Sequence, residues 1–197
     1  MSLTFITSRK EKFEEMQAIL NPIELTPIYV ALPEIQELDA DLILKEKIRC
    51  GSEFVPRGQF IVDDTSVYFD CLGGILPGPF IKQFFQALKC QGLYELTRDL
   101  KNDRATAVTR IGYRDSGYSR FGGSVTEKIF TGEMEGRIVE PRGSTNLFDW
   151  NTIFQPNGCD KTFGEMNLEE KNTISMRFIA AQKLKNYLLN ERPKIED

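Results

Sequence analysis

The sequence contains no histidine. That excludes Ser–His–Asp and Cys–His catalysis and every histidine-ligated metal. Acid–base work is left to Asp, Glu, Lys or Tyr, and a catalytic metal would be held by oxygen, which points to magnesium or manganese. Cysteine is scarce and scattered: Cys50, Cys71, Cys90 and Cys159 form no C-x-x-C pair and read as reduced, mostly buried thiols of a cytoplasmic protein. No apolar run is long enough to span a bilayer, and the opening MSLTFITSRK has no basic lead followed by an apolar core, so neither a membrane span nor a signal peptide is expected. An excess of positive charge is also missing. The net charge of −4 argues against a general binder of nucleic acid or membrane surfaces.

What is present suits one globular domain over residues 1–197, with two lobes allowed. The chain is 197 residues long and 41% hydrophobic, enough to bury about 70% of its unfolded surface. Its most informative stretch is Gln59–Lys82. Phe60, Ile61 and Val62 form a buried-strand signal that stops at the acids Asp63 and Asp64, and apolar spacing resumes at Val67. Gly73–Gly74 and Pro77–Gly78–Pro79 then shape a tight loop, and Ile81, Phe84, Phe85 and Leu88 give the following helix an apolar face, with Lys82 at its start. Paired carboxylates at a strand end suit a hard divalent metal and a base. They equally suit a turn cap, and spacing does not separate the two.

The remaining elements follow in order. Leu3–Ile6 reads as a strand, and Thr7, Ser8 and Arg9 lead into a helix patterned by Phe13, Met16, Ile19 and Leu20. Arg9, Lys10 and Lys12 at that helix start make an anion-binding layout, though the glycines of a P-loop are missing; a solvated basic first turn has the same composition. Ile23–Val30 is a strand, and the loop after it delivers Glu34. Asp39 caps a helix to about Cys50 whose apolar side is Ala40, Ile43, Leu44 and Ile48, with Lys45 off that side. Gly92–Lys101 is a further short helix, and Arg104–Tyr113 and residues 118–130 form a hairpin about Asp115-Ser116-Gly117. Residues 131–144, with glycines at 132, 136 and 143, are expected to be irregular. Trp150, the only tryptophan, suits either core packing or the wall of a base pocket. Residues 173–189 are expected to form one helix, capped by Thr173 or Ser175, with Arg177 in its first turn.

In order and spacing, the pieces F-I-T-S-R-K-E-K, L-P-E, V-D-D-T, G-G-I-L-P-G-P-F-I-K, G-R-I-V-E-P-R-G, F-D-W-N, T-F-G-E-M, E-E-K-N and I-S-M-R resemble the inosine triphosphate pyrophosphatase family over almost the whole chain. The resemblance implies an α/β fold with a long, twisted mixed β-sheet flanked by helices, two lobes and a central cleft. It implies a homodimer that hydrolyses ITP, dITP and XTP to monophosphate and pyrophosphate with magnesium. Position by position, it implies that Glu34 and Asp64 hold the metal, with Asp64 also the proton acceptor. It places Thr7, Ser8, Arg9 and Lys12 on the phosphates, and Thr65, Lys45 and Lys171 at further substrate positions. It counts Lys45 with Asp64 as catalytic. Phe148, Asp149, Trp150 and Asn151 match the base-pocket segment, and Met176 and Arg177 the base-reading pair. Three stretches depart from the family pattern: Thr7-Ser8-Arg9 stands for T-G-N, Phe148-Asp149-Trp150-Asn151 for F-G-W-D, and Ser175-Met176-Arg177 for S-H-R. Two other outcomes fit those departures: a pyrophosphatase with a shifted base preference, and a nucleotide-binding protein that has lost turnover.

Overall fold

The computed structural model describes residues 3–117, 125–144 and 150–191. Its spine is a seven-stranded mixed sheet of order β2-β1-β3-β5-β6-β7, with β4 paired to β3. The strands are β1 (Leu3–Thr7), β2 (Leu25–Tyr29), β3 (Gly58–Phe69), β4 (Pro77–Gly78), β5 (Arg104–Ser116), β6 (Val125–Ile138) and β7 (Phe154–Pro156). The helices are α1 (Lys10–Leu20), α2 (Ala40–Phe54), α3 (Ile81–Asp99), α4 (Leu168–Ile174) and α5 (Met176–Asn186). β1 runs parallel to β2 and β3, whereas β3, β5, β6 and β7 are antiparallel.

Strand alternation sorts the core into layers. Phe5 and Ile61 face one side of the sheet and pack with Met16, Leu20 and Leu184 of α1 and α5. Ile6, Phe60 and Val62 face the other side and pack with Leu44 and Ile48 of α2. Farther along β3, Val67 and Phe69 join Leu93 of α3 and the rings of Trp150, Phe154 and Phe163.

Several sequence expectations are corrected. The strand does not end where its apolar run meets Asp63 and Asp64: the ladder to β5 continues through them, with Asp63 opposite Ile111 and Asp64 opposite Arg110. The acids therefore lie in mid-strand. Residues 131–138 are strand rather than loop, because the glycines of β6 are contact points. A Cβ on Gly132 would stand 2.1 Å from the Met176 carbonyl of α5, and one on Gly136 2.4 Å from that of Gln155 in β7. Asp115 and Ser116 pair with Thr126 and Val125, so the hairpin connection lies beyond them. The helices expected on either side of residue 90 abut as one element, α3, broken at Lys89, whose φ of 58° is left-handed. The long C-terminal helix splits at Ser175, whose extended backbone ends α4 while its hydroxyl accepts from the Phe178 N–H and caps α5.

Candidate active site

β1 pairs with β3 only as far as Phe5 opposite Ile61, although β1 continues to Thr7 beside β2. The sheet thus parts two residues before Asp63, at the carboxyl ends of parallel strands, where ligands of α/β proteins bind. A cavity of about 160 Å³ opens there, and its polar lining is Thr7, Ser8, Lys12, Glu34, Lys47, Asp63 and Lys82. That is below the roughly 300–1,000 Å³ of sites that enclose a drug-sized ligand. It suits a polyphosphate and a cation better than a whole nucleotide. A larger hollow of about 500 Å³ between α1, α4 and α5 is lined by Ala18, Ile19, Leu168, Phe178 and neighbours, with Glu169 its only charged side chain among the described residues. It has no chemistry comparable to the cleft.

Because adjacent strand residues point to opposite faces, the two acids lead different lives. Asp64 follows the face of Val62 toward α2, where Lys47 donates to it at 2.6 Å. Lys47 also reaches Glu34 at 2.8 Å and the Asp63 carbonyl at 3.3 Å. Burial works against the charge on Lys47, but Asp64 and Glu34 outweigh it and lift its pKa above the ordinary lysine value. Glu34, half-exposed in the loop after β2, is desolvated in part, yet Lys47 beside it holds its carboxyl below the usual value.

Asp63 follows the face of Ile61 toward α1 and α5. It accepts from Lys12 at 3.1 Å and from Arg177 at 3.3 Å. Burial would raise its pKa; Lys12 and Arg177 instead draw it down to about 2. Arg177 also donates to Glu15 at 2.5 Å, and the Lys171 ammonium lies 3.8 Å from Glu15. Burial is opposed there by Arg177 and Lys171, and the net result is a Glu15 carboxyl below its usual range. Four carboxylates and four cations thus interlock around one stretch of β3.

The structure brings together many of the residues singled out from sequence. Thr7, Ser8, Lys12 and Glu34 line the cleft, Asp64 adjoins it through Lys47, and Thr65 follows in β3 with its hydroxyl 3.0 Å from that of Thr109. Arg9, at the N-cap of α1, makes a surface pair with Glu11 at 3.8 Å, and its N–H donates to the Thr7 hydroxyl at 3.3 Å. Lys45 is a correction. It is exposed, and Lys47 occupies the cleft in its place, because two residues along a helix turn a side chain to the other side. Met176 is another: it is 2% exposed and packs in the cluster with Ile153 and Phe163, so its thioether serves the core rather than a base. Trp150 also packs as core, edge-on to Phe154 with ring centroids 5.6 Å apart. Arg177 is engaged by Glu15 and Asp63, and Asn151 is half-buried, its carbonyl accepting from Gly164. Phe148 and Asp149 lie outside the described residues.

Asp63 and Lys82, singled out in the sequence beside Asp64, line the cavity as well, and Glu15 and Lys47 join the site without having been singled out. The latter two carried a readable signal. Lys47 falls at helical spacing on the stripe of Ala40, Ile43 and Leu44, and Glu15 on that of Lys12, Met16 and Ile19. A charged residue inside an apolar stripe is a residue that must find a buried partner.

A parted sheet lined by interlocked carboxylates and ammonium groups, beside a helix start, is the make-up of a polar ligand site in an α/β protein. The Ham1 family model matches residues 3–187, and the chain belongs to the Ham1 family. It is 36% identical, over 97% of its length and 97% of the relative's, to a protein of Schizosaccharomyces pombe named inosine triphosphate pyrophosphatase. Its fold is similar to that of the Ham1 protein of Staphylococcus aureus, with a TM-score of 0.74 and 20% identity over 98% of this chain and 100% of that one. It also resembles a structure from Mycobacterium abscessus described as a nucleoside-triphosphatase and dITP/XTP pyrophosphatase, with a TM-score of 0.63 and 22% identity over 96% and 100% of the two chains. These likenesses bear out the expected family and the mixed α/β sheet.

Proposed function

We propose that this protein hydrolyses purine nucleoside triphosphates of the ITP, dITP and XTP type to monophosphate and pyrophosphate, as one catalytic domain acting as a homodimer. The observation that carries the reading is the convergence of Glu34 and Asp64 on one cationic point, 2.8 and 2.6 Å from it, at the mouth of a phosphate-sized cavity. Among the described residues, no group of three or more His, Cys, Asp or Glu side chains is gathered as a complete metal cage. Two carboxylates whose remaining partners are substrate oxygens fit Mg2+, with Mn2+ a close alternative. Glu34 and Asp64 would hold such an ion, which would supply a Lewis acid and neutralise phosphate charge.

This chain's own groups do the rest. Lys12 and Lys82, with the Ser8 end of the α1 turn, receive the phosphates, and Asp64 accepts the proton of the attacking water. Lys171 acts through Glu15 and Arg177 on the same network. No histidine is needed, because phosphoryl transfer asks mainly for positioning and charge balance. Burial of Met176 and Trp150 and the engagement of Arg177 favour a second reading of specificity alone, in which the preferred base is shifted.

The test is release of pyrophosphate, read with malachite green with and without added inorganic pyrophosphatase, over ITP, XTP, GTP, ATP and dUTP. Asp64→Asn should remain folded and lose on the order of 10²-fold or more in rate. Wild-type turnover in that variant would remove Asp64 from the mechanism. Orthophosphate as the first product would place the cut elsewhere.

A further inference from the structure

Lys47 is the least expected member of the cleft. It stands on the rigid helix α2, its side chain is 8% exposed, and its ammonium meets three oxygens: Asp64 Oδ1 at 2.6 Å, Glu34 Oε1 at 2.8 Å and the Asp63 carbonyl at 3.3 Å. An ammonium has three N–H donors and no more. A lysine placed only to greet a phosphate would keep a donor for it, and this one has committed all three inside the protein. Two of the three acceptors are the carboxylates assigned above to a divalent cation.

We propose that Lys47 is a resident counter-ion: it preassembles Glu34 and Asp64 and competes with a divalent cation for their oxygens, so that the protein takes up metal only as Lys47 gives up a carboxylate. The proposal rests on the reading that Glu34 and Asp64 hold the metal. The yielding partner is Glu34. Asp64 is fixed in β3 by its ladder to β5, while the Glu34 side chain is 45% exposed on a loop. Releasing Glu34 frees an N–H of Lys47, which can then meet a phosphate oxygen. Lys47 is thus a positioning residue for the carboxylates, and metal entry and phosphate capture are coupled through it. A lysine that only stabilised the fold, or only bound substrate, would not compete with metal when no nucleotide is present.

That difference is measurable without turnover. Mn2+ is titrated into the nucleotide-free full-length protein and free Mn2+ is followed by its electron paramagnetic resonance signal. Lys47→Gln and Lys47→Met should each bind Mn2+ roughly tenfold or more tightly than wild type, since a competing positive charge a few ångströms from the metal position is gone. Thermal melts should show the Lys47 variants less stable without metal and more strongly raised by Mn2+ than wild type. Gln keeps an amide donor for the carboxylates, so it carries the measurement if Met prevents folding. Wild-type or weaker Mn2+ affinity in folded Lys47→Gln overturns the proposal. Glu34→Gln is the control for the premise. If it binds Mn2+ as wild type does, the metal assignment itself falls, whereas weakened binding there with no gain in the Lys47 variants defeats only the role given to Lys47.

Discussion

Adjacent residues of a strand face opposite sides of the sheet, and at Asp63 and Asp64 this separates two chemistries. Asp64 looks to α2 and a half-exposed glutamate, Asp63 to two cations of α1 and α5. The pKa of Asp63 is about 2 in the fold against an ordinary 3.8. A depressed carboxyl contributes stability that is present above the ordinary value and is lost as pH falls through the folded one. Here that window runs from about pH 4 down to about 2, and it amounts to about 2 kcal/mol. Asp63→Asn should therefore cost about 3 kcal/mol at pH 7, because it leaves the Lys12 ammonium beside a neutral amide and takes one of its two carboxylates from the buried Arg177, which keeps Glu15. The gap to wild type in urea unfolding should narrow as pH drops through that window. A gap that stays constant to pH 2 would mean that Asp63 carries no such charge. Met176 illustrates the opposite limit of residue-scale reading. Its place in the S-x-R helix start suggested a base contact, but burial at 2% exposure makes it core. Sequence position aligned the residue; only packing could say which way it faced.

At the scale of elements, the order of strands and helices was legible because each carried its own period. Phe60–Val62 announced β3, and Ala40, Ile43, Leu44 and Ile48 announced α2. What was not legible was decided by partners far away in sequence. β3 runs through two acids because β5 supplies the ladder and Lys12, Arg177 and Lys47 supply the charge. β6 keeps its strand through Gly132 because α5 lies against it. The helix after Ser175 begins where the Ser175 hydroxyl caps it, which orients Arg177 toward Glu15. The closeness of Gly132 to α5 makes a direct test. A methyl group there meets backbone, the Met176 carbonyl at 2.1 Å and the Ala180 nitrogen at 2.5 Å, so α5 must move. Gly132→Ala should cost on the order of 3 kcal/mol by overpacking. It should also lower the rate of the folded fraction, since Arg177 rides on the displaced turn. Wild-type stability and activity in Gly132→Ala would show that the two elements have slack.

For the molecule as a whole, the arrangement is a sheet that splits at one point and a charge lattice that fills the split. Glu15, Glu34, Asp63 and Asp64 are matched by Lys12, Lys47, Lys171 and Arg177, so the cleft is close to neutral as it stands. A triphosphate with a divalent ion adds net negative charge, and the cleft meets it with cations that are only lightly committed. Lys12 is the nearest such group: its side chain is 23% exposed, it lines the cavity, and its carboxylate partner among the described residues, Asp63, is also held by Arg177. Removing Lys12 therefore leaves Asp63 paired and the fold intact, which circular dichroism can confirm. Phosphates are common to every nucleoside triphosphate, so the loss cannot depend on the base. Lys12→Ala should weaken ITP, GTP and ATP by the same factor, roughly tenfold to a hundredfold for one charge-assisted contact. The measurement is kcat/KM for the three substrates on both proteins. Ratios among the bases that change while the overall level holds would place Lys12 at the base end of the cleft, and would require the nucleotide to lie the other way round.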